Sequence, residues 1–149
     1  MQSIFEKNTF KAIQQRIQQL SPDAKALWGK MTVAQMLAHC TEGMKMAAGE
    51  IHLPRVFLGR IVGRFLKDIY YNEKPFPKHI NTDKALVIRE DKDFKTEQQR
   101  LLDSVEKFHI GGPEKCTKTP HPFLGDFTPE QWAMGMYKHL DHHLRQFGA

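Results

Sequence analysis

The segment TPEQWAMGMYKHLDHHLRQFGA, residues 128–149, constrains the architecture most, because its apolar residues recur with a helical period and both its ends carry boundary signals. Thr128 is a good N-cap, Pro129 suits the first helical position, Gln131 completes a Thr-x-x-Gln capping box and Gly148 supplies the stop. At roughly 100° per residue, Trp132, Met136, His139, His143 and Phe147 fall within one narrow arc, while Lys138, Asp141, His142 and Arg145 point elsewhere. Two imidazoles one turn apart are therefore expected to face a helical interior. An i, i+4 histidine pair presents two nitrogen lone pairs to one point, which is why this spacing recurs in metal sites on helices.

Other segments carry the same grammar. A Ser3-x-x-Glu6 capping box followed by Phe10, Ile13, Ile17 and Leu20 predicts a first helix running to about Leu20. After the turn-like Ser21-Pro22-Asp23, a Thr32–Gln35 box opens a second helix with the stripe Val33, Met36, Leu37, Cys40, Met44 and Ala47, ending near Gly49. The basic, amphipathic stretch RVFLGRIVGRFLKDIYY after Pro54 reads as a further helix that Gly59 and Gly63 weaken, and NEKPFPKHINTD reads as a long connection. Asp93 caps a helix carrying Phe94, Leu101, Leu102, Val105 and Phe108, stopped by Gly111-Gly112-Pro113; a loop containing HPFLG leads to the final helix. With no alternating strand pattern, no repeats and no low-complexity tract, the expectation is one all-α domain over residues 1–149. It is a four-helix bundle in which residues 50–92 form a crossover containing an additional shorter helix.

A chain of 149 residues buries about 68–70% of its extended-chain surface on folding, so it needs neither disulfides nor a structural metal. Cys40 and Cys116 match no zinc-ribbon spacing, which predicts a reduced, cytoplasmic compartment. Glu6 and Lys7 interrupt the N-terminus before an apolar run forms, and no uninterrupted apolar stretch approaches the ~18 residues a membrane span needs, so a soluble, unprocessed protein with no membrane partner is expected. The net charge of +5, from 22 basic and 17 acidic residues, is concentrated in Arg55, Arg60, Arg64 and Lys67. That patch lacks interleaved aromatics and any nucleic-acid motif, so it reads as a solvated helix face and no nucleic-acid partner is expected.

Two histidines hold a metal poorly unless a third ligand converges. Of the six others, His39 is best placed, at the flank of the second helix's apolar stripe. His142 diverges by about 100° from His143 and reads as a surface residue. His52 and His79 fall in the crossover and His109 near a helix end. For His121, loop packing and substrate contact are both open. Glu42 and Gln35 share a ridge with His39, where they either orient it or are simply exposed. Trp132 and Met136 read as core. The competing reading of the whole set is that histidines on an apolar face are hydrogen-bonded core residues with no ligand role.

Three places in the chain, KMTVAQMLAHC around His39, HPFLGDFTPEQW before the last helix and YKHLDHHLRQFG at the end, together resemble the DinB-like superfamily of four-helix-bundle metalloproteins, particularly a branch of unknown function. The resemblance spans nearly the whole chain. It implies that His39 and the first and last members of the H-x-x-H-H run, His139 and His143, bind a divalent metal, usually nickel or zinc. It also implies a possible homodimer. Met31 stands where many relatives have tryptophan, and Cys40 where an aliphatic residue is common; both would reshape a pocket floor without touching the ligand set.

Three neutral imidazoles leave the charge of a divalent ion uncompensated and coordination positions open, the arrangement of a catalytic rather than a closed structural site. Such a site can acidify a water for hydrolysis or hold a substrate thiol as thiolate for transfer or isomerisation. The first functional expectation is thus a metal-dependent hydrolase or thiol-dependent transferase or isomerase, acting on an unidentified small molecule with no protein base assigned. The second is a non-catalytic metal- or small-molecule-binding bundle. The third is a metal-free scaffold or a polyanion binder using the basic segment.

Overall fold

The computed structural model describes residues 2–79 and 83–149; Ile80, Asn81 and Thr82, within the expected long connection, lie outside the described residues. Among those described, the chain forms five α-helices: α1 Lys7–Gln19, α2 Val33–Ala47, α3 Phe57–Tyr71, α4 Phe94–Gly111 and α5 Pro129–Gln146. Short 3₁₀ turns at Lys84–Leu86 and Pro113–Lys115 and an isolated antiparallel bridge between His121 and Gly125 complete the regular structure. The fold is all-helical.

The capping chemistry accounts for most helix ends. Reciprocal capping boxes at Thr32–Gln35 and Thr128–Gln131 start α2 and α5, and the Asp93 carboxylate accepts from the Thr96 amide to start α4. Gly112 terminates α4 at φ +57°, and Gly148 follows α5 at φ +77°, conformations that a Cβ disfavours. The first helix departs from expectation. It begins at Lys7 with Glu6 as an uncapped N-cap, and no Ser3–Glu6 box forms. Burial wins over capping here. Ile4 is drawn fully into the core, its amide 3.4 Å from the Ala133 carbonyl, and Ser3 goes under with it, its Oγ accepting from the Phe5 amide.

The core is built from the anticipated stripes: Ile13 and Ile17 of α1, Met36, Leu37 and Met44 of α2, Leu101 and Val105 of α4, and Trp132, Met136, Leu140 and Leu144 of α5. α2 packs on α4 and α5, and α1 packs on the same two helices. At ~1.5–3 kcal/mol for each large apolar side chain taken from water, this set dominates the favourable side of folding.

α3 lies against α5. Its two glycines do the opposite of what helix propensity implies: a Cβ at Gly59 or Gly63 would collide with the Phe123 backbone, so both let the helix rest directly on the HPFLG loop. Its C-terminal end is held by Lys138 of α5, whose Nζ donates to the Ile69 carbonyl, to Asn72 Oδ1 at 2.8 Å and to the Asn72 carbonyl at 3.2 Å. Lys138 is therefore buried beneath α3 rather than solvated. Asp141 is buried as well, paired with Arg16 at 2.7 Å and with Arg145 at 2.9 Å. His142 is not a free surface residue either, since its ring packs against Trp28 and Phe76 with centroids 5.5 and 5.9 Å away. The outer face of α3 leaves Phe57, Ile61 and Phe65 mostly exposed.

Candidate metal centre

α2 and α5 run alongside each other and bring His39 against His139 and His143. Ring centroids are 5.0 Å apart for His39–His139, 4.9 Å for His39–His143 and 4.8 Å for His139–His143, with every pair edge-on. One ligand nitrogen from each ring lies within 4.8 Å of the other two. His39 and His143 are buried and His139 is partly buried, with its Nδ1 shut away from solvent.

The surroundings fix which nitrogens face inward. His39 Nδ1 lies 2.9 Å from the Leu86 carbonyl oxygen, which only accepts, so Nδ1 carries the proton and Nε2 is left with its lone pair. Gln146 Nε2 donates to the Trp28 carbonyl at 2.6 Å, and this sets the amide so that its Oε1 faces His143 Nδ1 at 2.8 Å. His143 must then donate from Nδ1 and turn an Nε2 lone pair inward. Two ligands are thus oriented by a carbonyl and an amide in the way metal-binding histidines are oriented by outer partners. His139 Nε2 sits 3.0 Å from His39 Nε2, and its Nδ1 is buried with no partner. Whichever His139 nitrogen holds the proton, one polar atom of that ring stays unsatisfied.

Space for the His139 ring comes from Gly43 of α2: a Cβ there would sit 3.1 Å from His139 Cε1 and 3.3 Å from Nδ1. Gly29, at φ +82°, does the same for the other side, since a Cβ would lie 2.6 Å from Gln146 Nε2. Burial lowers the pKa of all three imidazoles, and for His139 and His143 the neighbouring histidines lower it further; His143 is pushed down to about 3. The rings therefore repel protons yet direct lone pairs at one another. Bonds of ~2.0–2.1 Å from one ion to two nitrogens at near-right angles would hold those nitrogens ~3 Å apart, the separation found for His39 and His139, and a His143 nitrogen lies within 4.8 Å of both, an arrangement compatible with a divalent cation.

Gln35 and Glu42 do not reach the trio. Gln35 spends its amide on the Thr32 cap and the Glu90 carbonyl, and Glu42 pairs with Lys45 at 2.8 Å and Arg100 at 3.7 Å. The group that orients His39 is the Leu86 backbone, which carries no side-chain signal in the sequence. Gln146 was legible in principle, three residues after His143 on the same helix. Cys40 turns away into the core, its Sγ 3.7 Å from Met36 Sδ, with burial pushing the thiol far above its usual pKa. His121 stands beside the trio within an aromatic group, its ring 5.2 Å from Tyr70, 5.5 Å from Trp132 and 5.7 Å from Phe127. Its Nδ1 accepts from the amides of Phe123 and Leu124, both at 3.2 Å. His52, His79 and His109 take no part; His109 bonds to the Ile4 carbonyl and stacks on Phe10. Two surface clefts, one at the start of α2 lined by Met31 and Phe94, the other between Asn72 and Arg145, contain none of the three ligands.

The chain matches the family described as "Protein of unknown function (DUF1569)" over residues 5–149, and it belongs to that family. No curated protein and no solved structure matches it.

Proposed function

We propose that this family member is a divalent-metal protein of DinB type, with nickel or zinc held by His39, His139 and His143, acting on or binding a small molecule at that centre. The observation that carries the reading is the pair of tautomer locks, Leu86 on His39 and Trp28–Gln146 on His143, which leave two Nε2 lone pairs facing inward beside His139. A hydrogen bond between His39 Nε2 and His139 Nε2 satisfies His39 but leaves His139 Nδ1 buried without a partner, a polar atom that packing alone does not account for. A bound divalent ion would supply Lewis acidity, lowering the pKa of a water or thiol at its open position, and so would support hydrolysis or thiol-dependent transfer or isomerisation. The chain's own contribution is to hold three neutral donors in place and to shield them from bulk water.

The packing of α1, α2, α4 and α5 around one core, with α3 in the connection between α2 and α4, supports the DinB-type four-helix bundle over residues 1–149. Two free, buried cysteines support a reducing cytoplasmic setting, and no helix among the described residues is long and apolar enough to cross a membrane. The exposed Phe57, Ile61 and Phe65 supply an apolar face on which a homodimer would form. A non-catalytic metal-binding role is favoured by one observation: among the described residues, the three-histidine cluster holds no carboxylate to act as acid or base.

Elemental analysis of untagged protein, beside the His139→Ala, His143→Ala double variant, tests the reading. About one equivalent of nickel or zinc in the parent and none in the variant is expected. Equal metal content in both, or none in the parent after growth with added metal, overturns it.

A further inference from the structure

Near the trio, the loop that carries His121 collects hydrogen-bond donors, two of them buried without an acceptor. His121 and Gly125 bond reciprocally through their backbones at 2.8 and 3.1 Å, closing the loop, and the Val56 amide donates to Pro122 at 2.9 Å, which pins Arg55 to it. The Arg55 guanidinium lies over Gly125, where a Cβ would stand 3.3 Å from its Nη1. Arg55 Nε is buried without a partner, and among the described residues no carboxylate forms an ion pair with this side chain. The Nε1–H of Trp132, a residue 1% exposed, is likewise buried and unpartnered. Because His121 Nδ1 accepts two amides, its proton sits on Nε2, giving a third donor. Burial, with Arg55 adding to it and the Asp83 carboxylate opposing, lowers the His121 pKa to about 4, so the ring stays a neutral donor near pH 7.

Donors buried without acceptors cost about 1–3 kcal/mol each, and a fixed guanidinium with no ion-paired carboxylate among the described residues is suited to bidentate recognition of a carboxylate or phosphate. We infer that Arg55, with His121 and Trp132 beside it, forms a subsite for an anionic oxygen group, so that the substrate of the proposed centre carries a carboxylate or phosphate. The identification as substrate rests on the metal reading; the binding of the anion does not. Arg60 and Arg64 are further along α3, and Lys67 places its charge over the Phe127 ring, its Nζ 5.2 Å from the centroid.

The test titrates inorganic phosphate, and separately acetate, into the full chain at low ionic strength by calorimetry, comparing the parent with Arg55→Met, Arg55→Gln and the His139→Ala, His143→Ala double variant. Arg55→Met keeps the packed stem and removes the donors. Loss of affinity by ~tenfold or more in both Arg55 variants, with binding kept in the double variant, is the expected result. Equal affinity in parent and Arg55 variants, or no binding at millimolar anion, overturns the inference. Binding lost in the double variant but kept in Arg55→Met also overturns it, placing the anion on the metal and leaving the metal reading intact. The converse, Arg55-dependent binding in a parent that holds no metal, sinks the metal reading alone. Phosphate protection of Arg55 from phenylglyoxal, read by peptide mass spectrometry, decides the question without a variant: protection supports the subsite and unchanged modification overturns it.

Discussion

Acidification of the metal-stripped protein should destabilise it in a window where carboxylates are still silent. Burial holds the pKa of His143 at about 3 and that of His121 at about 4, against 6.5 for the exposed side chain. A histidine whose folded pKa is depressed binds protons more readily when unfolded, so its contribution is complete above about pH 6.5 and is lost as pH falls below that value. At about pH 5 each of these two histidines costs ~2 kcal/mol relative to about pH 7.5, since the unfolded ring is nearly fully protonated and the folded ring is not. Together they give ~4 kcal/mol, a large share of the ~5–15 kcal/mol that holds a typical domain together. Burial also lowers the pKa of His39, His139 and His142, which acts in the same direction. Urea unfolding in chelator at the two pH values measures the difference, and His121→Gln should shrink it by ~2 kcal/mol. Unfolding free energies that agree within about 1 kcal/mol between the two pH values would refute the burial of these neutral rings.

Gln146→Leu removes the acceptor for His143 and the donor to Trp28, and should weaken metal affinity by ~10–100-fold in a chelator competition assay while leaving the helical signal unchanged. Gly43→Ala places a Cβ against the His139 ring, so a weaker metal affinity with a change in thermal stability below ~1 kcal/mol is expected; unaltered affinity would show that the ring has room to move. Gly63→Ala drives a Cβ into the Phe123 carbonyl and should displace α3 from the loop, lowering the midpoint of thermal unfolding and speeding proteolysis between α2 and α4. Thr32→Ala deletes the α2 cap and should cost ~1 kcal/mol in urea unfolding with the same denaturant slope.

Much of the fold was legible because its signals are local. Thr32 with Gln35 and Thr128 with Gln131 each announce a helix start within four residues, and the stripes of α2 and α5 follow from a 3.6-residue period that any amphipathic helix must show. The same reasoning failed at Ser3, where a correct local motif was overridden by the burial of Ile4, a gain that no four-residue window contains.

The chain by itself determined that His139 and His143 share one face of a helix, since that follows from their spacing and the helical repeat. Tertiary structure alone decided that His39 meets them, that a Leu86 carbonyl 47 residues away sets its tautomer, and that Trp28, 118 residues from Gln146, sets the other. Backbone carbonyls are identical at every residue, and Gly43, Gly59 and Gly63 act by the atoms they lack, so neither leaves a periodic trace in sequence. Which lone pairs converge depends on packing between segments, and that geometry exists only once the helices have closed on their shared core.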